Sequence, residues 1–278
     1  MKQLQLTKTD QSRFLERVYS VDDKFAGIQM SYCQHDLFGL GMSKVRFSIL
    51  EIKFIFKSLL FQLNKMHKAG FVHRDIKSAN ILLNNKGNVY LSDFGQALAS
   101  KNASNDFKCG SPIYRSPEIF LGLLKNQKGL SSDSIDPFKA DIWSLGCVIV
   151  ELIIGSPLFL GCRNFLDLLF KYFCLFNSHS NFNKFKIFLN SDKFDSFKNN
   201  KKFPLKDLLL SKNKQIDSSF LDLILQMLNP EPSLRPSCET LINHFSLIES
   251  QNVSLKEKFE VFETENKEFR ELEIKKKI

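Results

Sequence analysis

One segment of the sequence, HRDIKSAN at residues 73–80, carries side chains suited to chemistry on a phosphate group. Asp75 can orient an attacking hydroxyl group and accept its proton. Lys77 can neutralise negative charge on a phosphate while it is being transferred. The pair suits phosphoryl transfer, because that reaction depends on positioning and electrostatic stabilisation more than on covalent chemistry by the protein.

A second segment, DFG at residues 93–95, supplies a carboxylate that complements the amide of Asn80 in the first segment. Asn80 and Asp93 both offer the hard oxygen ligands that Mg²⁺ prefers. Between them lie two apolar runs, at 81–83 and 89–91, separated by a turn rich in Asn and Gly, a pattern that predicts a β-hairpin. The hairpin would bring the two ligand-bearing segments side by side, so we expect a Mg²⁺ site there.

Each motif also has an ordinary structural explanation when it is taken alone. DFG at 93–95 could be a simple turn, and His73 would more often be a structural histidine. SPE at 116–118 could be a helix start with Pro at the first helical position. The order of the motifs, and the 18 residues that separate Asp75 from Asp93, match the signature set of the protein kinases.

The chain resembles the eukaryotic serine/threonine protein kinases from about residue 14 to residue 248. DIWSLG at 141–146 resembles the buried central helix of that family, whose Asp braces the catalytic loop. LRP at 234–236 resembles the late segment whose Arg pairs with the Glu of the Ala-Pro-Glu motif, here Glu118. The resemblance implies an α+β, protein-kinase-like fold with a mainly α-helical C-terminal lobe and a truncated β N-terminal lobe.

The resemblance also implies a role for individual residues, with ATP and Mg²⁺ as cofactors. The catalytic residues would be Asp75, Lys77, Asn80 and Asp93, of which Asn80 and Asp93 would bind the metal. The ATP-binding residues would be Met30, Ser31, Tyr32, Cys33, Asp36 and Leu82. The activation segment and substrate site would include Asp106, Ser111 and Arg115. The structural residues would be His73, Arg74, Phe94, Gly95, Glu118, Asp141 and Arg235.

Three further segments resemble the cyclin-dependent and related kinases: YRSPE at 114–118, SPLFLG at 156–161 and QHDL at 34–37. In that group the Arg after the Tyr shapes a pocket for a proline that follows the target Ser or Thr, so Arg115 implies proline-directed specificity. The implied partners are protein substrates and, with a complete N-terminal lobe, a cyclin-like subunit. By analogy we expect the protein inside the cell, in the nucleus or the cytoplasm.

The activation segment departs from the family pattern. Asp106 occupies the position nine residues before Arg115 where related kinases carry a phosphorylated Thr. A carboxylate carries one negative charge where phosphothreonine carries nearly two. Asp106 could therefore pair with Arg74 and hold the segment without an activating kinase. The alternative is that Asp106 is a solvated loop residue and that Ser104 is the nearest phosphorylation site.

The N-terminal lobe motifs of the family are not found. No G-x-G-x-x-G motif occurs before residue 25, and FLERVYSV at 14–21 already resembles the fourth strand. Three explanations stay open: a sequence that starts too late, a genuinely shortened kinase of weak or no activity, or a lobe supplied by a partner. A catalytically inactive scaffold is therefore the alternative function. Inactive kinases ordinarily lose the residue at the position of Asp75 or Asp93 too, so the presence of both favours a sequence that starts too late.

Composition excludes several other classes of function. The net charge is +9, but the basic residues are scattered, so we expect no direct nucleic-acid binding. The six cysteines form no C-x-x-C pair, which argues against a zinc site. The longest apolar stretch, at 145–154, is too short to span a bilayer, so we expect no membrane association.

Three parts of the chain are predicted. Residues 1–33 would be a remnant of the N-terminal lobe and the hinge, with a strand at 25–33. Residues 34–250 would form the C-terminal lobe, with helices at 48–69, 140–154 and 218–228 and a surface insertion at 177–215. Residues 251–278 would be a charged tail, either an amphipathic helix or a frayed end.

Overall fold

The computed structural model describes residues 15–20, 26–43, 45–130, 134–162, 164–176, 203–245 and 253–264. Within these residues a few short antiparallel strands accompany a larger helical part. The α+β class predicted from the sequence is therefore confirmed.

Within the described residues, the strands form three small antiparallel sheets. They are β1 (Leu15–Ser20), β2 (Ala26–Met30), β3 (His35–Asp36), β4 (Phe71–Val72), β5 (Ile81–Leu83), β6 (Val89–Leu91) and β7 (Leu98–Ala99). β1 pairs with β2, β4 pairs with β7, and the third sheet has the order β3-β5-β6. The predicted hairpin is confirmed as β5 and β6, and the predicted strand at 14–21 is β1.

The helices make up most of the described chain. They are α1 (Leu37–Met42), α2 (Ile49–Lys68), α3 (Ser100–Ala103), α4 (Pro117–Gln127), α5 (Pro137–Ile154), α6 (Phe165–Phe176), α7 (Leu205–Lys212), α8 (Ser218–Met227), α9 (Cys238–Phe245) and α10 (256–264). The three helices predicted from the sequence are α2, α5 and α8.

Helix α2 begins and ends where its sequence predicts. The Ser48 hydroxyl accepts from the backbone N–H of Glu51, and the Glu51 carboxylate accepts from that of Ser48, which completes a capping box. Gly70 follows the helix with φ +80°, a conformation that an L-residue with a side chain adopts only with strain. The buried face of α2 then packs against β4, β6 and α5.

Helix α5 is the centre of the core. Asp136 caps its N-terminus, Pro137 occupies the first helical position, and Gly155 ends it with φ +79°. Thirteen of its eighteen residues are buried, including the charged side chains of Asp141 and Glu151. Because buried charges are costly unless they are paired, these two residues mark points where α5 holds other segments in place.

The later segments pack more closely than the sequence suggested. Residues 177–202 of the predicted insertion lie outside the described residues. The rest contains helix α7, whose Leu205 and Leu209 are buried in the core, so this part is not a surface loop. In the tail, Leu255 and Phe259 are also buried, and the amphipathic-helix alternative is confirmed for the described residues.

Candidate functional site

The loop between β4 and β5 is hydrogen-bonded to Asp141 of helix α5. The buried carboxylate of Asp141 accepts from the backbone N–H of His73 at 2.8 Å and from that of Arg74 at 2.9 Å. Arg74 has φ +71°, a strained conformation for a non-glycine residue, and these two hydrogen bonds stabilise it. The predicted bracing contact between Asp141 and the loop is therefore present.

His67 of α2 belongs to the same brace, although the sequence did not indicate it. Its Nε2 lies 2.9 Å from Oδ2 of Asp141, and its Nδ1 lies 3.6 Å from the thiol of Cys238. The only sequence signal was a polar residue in the last turn of an amphipathic helix, which also suits a helix C-terminus with no further role.

Asp75 lies at the centre of the site. Lys77 Nζ is 2.7 Å from one of its carboxylate oxygens, and both the N–H and the hydroxyl of Ser111 donate to the other at 3.0 Å. The amide nitrogen of Asn80 donates to the backbone carbonyl of Asp75 at 2.8 Å. Burial raises the pKa of Asp75, but the hydrogen bonds from Lys77 and Ser111 outweigh it and lower the pKa below its ordinary value. Asp75 is therefore a carboxylate at neutral pH.

Asp93 lies beside this group on the next segment. Ser92 donates to the backbone carbonyl of Asn80 through both its N–H and its hydroxyl, each at 2.9 Å. The exposed Asp93 follows directly with φ +60°, and its carboxylate accepts from the N–H of Gly95 at 3.3 Å. The structure thus brings Asp75, Lys77 and Asn80 into contact and ties the segment of Asp93 to Asn80.

His73 connects the loop of Asp75 to the segment of Asp93 through contacts with Ser92 and Phe94. His73 is fully buried, its Nε2 lies 3.0 Å from the carbonyl of Ser92, and its ring centroid lies 5.3 Å from that of Phe94. Burial lowers the pKa of His73, against the pull of Asp141 and nearby carboxylates. A neutral His73 that bonds to the segment of Asp93 fits the structural role expected for it.

The residues expected at the nucleotide base lie at the end of β2, in the segment that follows it and on the β3–β5 pair. Met30 and Tyr32 are exposed, at 50% and 79% of their surface. Asp36 caps α1, where its carboxylate accepts from the N–H of Gly39 at 2.8 Å. Leu82 pairs with Asp36 between β5 and β3, so these two of the six residues expected to bind ATP are neighbours. The half-buried Ser31 and Cys33 lie between Met30 and this pair.

An ion pair joins the predicted activation segment to the loop at residues 73–80. A carboxylate oxygen of Asp106 lies 2.7 Å from the guanidinium of Arg74, whose side chain is only 7% exposed. Burial raises the pKa of Asp106, but Arg74 and the N–H of Lys108 lower it by more. The pKa of Asp106 is therefore below its ordinary value. Asp106 is therefore paired with Arg74 and is not a solvated loop residue without a partner.

A second part of the activation segment bends around Arg115. The Nε of Arg115 donates to the carbonyls of Cys109 at 2.8 Å and Gly110 at 3.0 Å. Gly110 has φ +71°, and a Cβ there would come within 3.0 Å of the carbonyl oxygen of Arg74. Glycine is therefore the residue that this bend accommodates.

The predicted pair between Glu118 and Arg235 is present and buried. The guanidinium of Arg235 bonds both carboxylate oxygens of Glu118, at 2.6 and 2.7 Å, with exposed side-chain fractions of 0% for Arg235 and 12% for Glu118. The remaining N–H groups of Arg235 donate to backbone carbonyls of residues 139, 229 and 230. All five donors of this guanidinium are thus engaged.

One buried network was missed by the sequence analysis. Glu151 of α5 accepts from the hydroxyls of Ser78 at 2.8 Å and Tyr114 at 2.7 Å. Burial raises the pKa of Glu151, against these two hydrogen bonds, and it also raises the pKa of Tyr114. The available signal was an acidic residue inside an otherwise apolar helix, and such a residue requires buried partners.

Comparison with known proteins agrees with this geometry. Residues 12–246 match the family described as protein kinase domain. Cyclin-dependent kinase C-2 of Oryza sativa subsp. japonica is 33% identical over 217 residues, 76% of this chain and 39% of that protein. Cyclin-dependent kinase C-1 of Arabidopsis thaliana is 30% identical over 241 residues, 85% of this chain and 43% of that protein. The chain spans less than half the length of these curated relatives.

A solved structure supports the fold. The crystal structure of the yeast RNA Pol II CTD kinase CTDK-1 complex superposes with a TM-score of 0.68 and 24% identity, over 87% of this chain and 78% of the other. At that identity the likeness concerns the fold alone, and it matches the fold predicted from the sequence. The chain belongs to the protein kinase domain family and is similar to its cyclin-dependent members.

Proposed function

We propose that this protein is a serine/threonine protein kinase that transfers the γ-phosphate of ATP to Ser or Thr side chains of protein substrates. The observation that carries the proposal is Asp75. Its carboxylate is charged, lies 2.7 Å from the ammonium group of Lys77 and is adjacent to Asn80. A carboxylate and an ammonium group at this distance suit the activation of a hydroxyl group next to a phosphate.

The donor set suits magnesium. Among the described residues, no three His, Cys, Asp or Glu side chains are grouped to hold a metal ion by themselves. Magnesium in phosphoryl-transfer sites usually has one or two protein oxygens and takes its other ligands from phosphate and water. Because the amide nitrogen of Asn80 donates to Asp75, its amide oxygen remains to join the exposed carboxylate of Asp93. We therefore propose Asn80 and Asp93 as the metal ligands.

Each residue has a distinct task in this proposal. ATP bound with Mg²⁺ supplies the phosphoryl group. Asp75 orients the substrate hydroxyl group and accepts its proton. Lys77 stabilises negative charge on the phosphate while it is being transferred. Ser111 holds the carboxylate of Asp75 in place through two hydrogen bonds of 3.0 Å. Asp141 keeps Arg74 in its strained conformation and thereby positions Asp75, the next residue.

We further propose specificity for a proline after the phosphorylated residue. Arg115 engages the carbonyls of Cys109 and Gly110, which are the acceptors that a substrate N–H would meet beside Ser111. A substrate residue with an N–H would leave that donor without a partner, which is costly in a desolvated interface. Proline has no N–H and avoids this cost.

The domain limits, the location and the cyclin-like partner also remain proposals. We propose residues 1–33 as the remnant of the N-terminal lobe and the hinge, 34–250 as the C-terminal lobe and 251–278 as a tail, acting inside the cell. Within the described residues no helix is long and apolar enough to cross a membrane. A cyclin-like subunit is proposed only by analogy with the relatives named as cyclin-dependent kinases.

The alternative is an inactive scaffold, and a peptide assay separates the two. The full chain would be incubated with Mg-ATP and two peptides that differ only in Pro or Ala after the target Ser. We expect transfer to the Pro peptide at a rate at least about tenfold higher, and none with Asp75→Asn. Equal rates of phosphate transfer to both peptides would refute the specificity for proline. A rate no higher than that of Asp75→Asn would favour the inactive scaffold.

A further inference from the structure

Gln96 links the predicted metal-binding segment to the activation segment. It is the residue after DFG, at the end of the 3₁₀ turn Phe94–Gln96. Its side-chain oxygen Oε1 accepts from the backbone N–H of Gly110 at 2.9 Å, across 14 residues of sequence. A distance of 2.9 Å is typical of a well-formed N–H···O hydrogen bond.

Both backbone polar groups of Gly110 are therefore hydrogen-bonded. Its carbonyl accepts from Arg115 and its N–H donates to Gln96. Its positive φ and the 3.0 Å approach of the Arg74 carbonyl to a Cβ built there leave little freedom for a side chain. Because the backbone of glycine is otherwise permissive, these two hydrogen bonds select one conformation among several.

The position of Gly110 matters for the residues around it. Ser111 is the next residue, and its N–H and hydroxyl both donate to the carboxylate of Asp75 at 3.0 Å. Rotation of the peptide between Cys109 and Gly110 would release the Gly110 N–H toward an incoming substrate and would shift Ser111. The bond from Gln96 opposes that rotation, because it engages the nitrogen of this peptide.

We propose that Gln96 is a positioning residue that sets the selectivity of the site for proline after the phosphorylated residue. The inference rests on the proposed function, because it concerns the same peptide-binding bend. Gln96 acts through Gly110 and does not touch the reacting atoms. It withholds the Gly110 N–H from substrate carbonyls, and it keeps the Cys109 carbonyl, which belongs to the same peptide, directed at Arg115, so a substrate N–H finds no acceptor there.

Four variants test the hydrogen bond. Gln96→Leu has nearly the same size but removes the acceptor, whereas Gln96→Glu keeps an oxygen acceptor for the Gly110 N–H. Gln127→Leu places the same apolar side chain at an exposed position at the end of α4 and serves as the control. Gln96→Ala is the second acceptor-free variant, to be used if Gln96→Leu does not fold.

The first readout is hydrogen exchange of the Gly110 amide in the full chain, which requires no catalysis. A hydrogen bond of ordinary net strength corresponds to a change of about three- to tenfold in exchange. We expect faster exchange by that factor in Gln96→Leu, and wild-type exchange in Gln96→Glu and Gln127→Leu. Unchanged exchange in Gln96→Leu would overturn the inference.

The second readout is the ratio of affinities for the peptides with Pro and with Ala after the target Ser. We expect wild type, Gln96→Glu and Gln127→Leu to prefer the Pro peptide, and Gln96→Leu to lose about three- to tenfold of that preference. A ratio that Gln96→Leu leaves unchanged, or a wild type that binds both peptides equally, would overturn the inference.

These readouts are independent of phosphate transfer. A chain that shows the exchange and affinity differences but no transfer would retain the role of Gln96 and refute the kinase activity. A chain that transfers phosphate but shows neither difference would retain the kinase activity and refute the role of Gln96.

Discussion

Replacement of Glu118 by alanine is expected to destabilise the helical part of the protein strongly. The carboxylate of Glu118 forms two short bonds, of 2.6 and 2.7 Å, with a guanidinium that is completely buried. Glu118→Ala would leave the buried charge of Arg235 with carbonyl partners only. The pair also joins α4 to a segment 117 residues later, so its loss weakens a long-range connection.

The magnitude can be estimated in two ways. Two charge-assisted hydrogen bonds at roughly 1.5–3 kcal/mol each give about 3–6 kcal/mol. Removal of one partner from a buried ion pair typically costs about 3–5 kcal/mol. For a domain of this size, each kcal/mol lowers the melting temperature by about 2–4 °C. We therefore expect Glu118→Ala to lower Tm by about 6–20 °C.

Thermal and urea unfolding followed by circular dichroism would measure the effect. The chain supplies a matched control in Lys68 and Glu239, an ion pair of 2.8 Å whose side chains are 60% and 62% exposed. Glu239→Ala should cost no more than about 1 kcal/mol, because water screens an exposed pair. If Glu118→Ala and Glu239→Ala changed the unfolding free energy equally, the argument from burial would be refuted.

Three further predictions concern the site, the activation segment and pH. Asp93→Asn should abolish transfer and weaken Mg²⁺-dependent nucleotide binding at least about tenfold in calorimetry, because it removes the charge of a proposed metal ligand; unchanged affinity would exclude Asp93 as a ligand. Asp106→Asn should lower activity without any upstream kinase, in parallel with Arg74→Ala, because either change breaks their 2.7 Å ion pair; full activity of Asp106→Asn would remove this role. Partial burial raises the pKa of Asp217, but hydrogen bonds, first from Lys53, lower it from 3.8 to about 2, so its stabilising contribution is full above pH 4 and is lost as the pH falls toward 2. Urea unfolding should therefore show a smaller loss of stability between pH 5 and pH 2 for Asp217→Asn than for wild type.

Much of the site could be predicted because its residues are close in sequence. The segment from His73 to Asp93 contains the hairpin that brings its two ends together, and hairpins form from local patterns and turn residues. The ion pair of Glu118 with Arg235 was predicted by resemblance alone, since nothing local indicates a partner 117 residues away.

The contacts that were missed depend on packing. The bonds of His67 to Asp141 and of Gln96 to Gly110 join residues whose types are common in helices and loops. These residue types therefore do not indicate which partner each side chain contacts. The burial of Leu205 at the end of the predicted insertion also depends on the position of α5, because the surrounding composition resembles a surface loop.

ATP affinity is expected to be weak for these 278 residues. Without a glycine-rich loop and its accompanying lysine, several charge-assisted phosphate contacts of roughly 1.5–3 kcal/mol each are not made, which predicts millimolar affinity or weaker. Transfer assays on this chain therefore require millimolar Mg-ATP, and micromolar affinity in calorimetry would indicate a different phosphate clamp.

Transfer of a labelled γ-phosphate from ATP to serine in a protein substrate tests the proposed role of Asp75 most directly. The full chain and Asp75→Asn would be compared at several millimolar Mg-ATP, with phosphoserine located by mass spectrometry. We expect Mg²⁺-dependent labelling of serine by the wild-type chain and none by Asp75→Asn, with both proteins folded. Equal labelling by the two proteins, or none by either, would contradict the assignment of Asp75 as the catalytic carboxylate of a protein kinase.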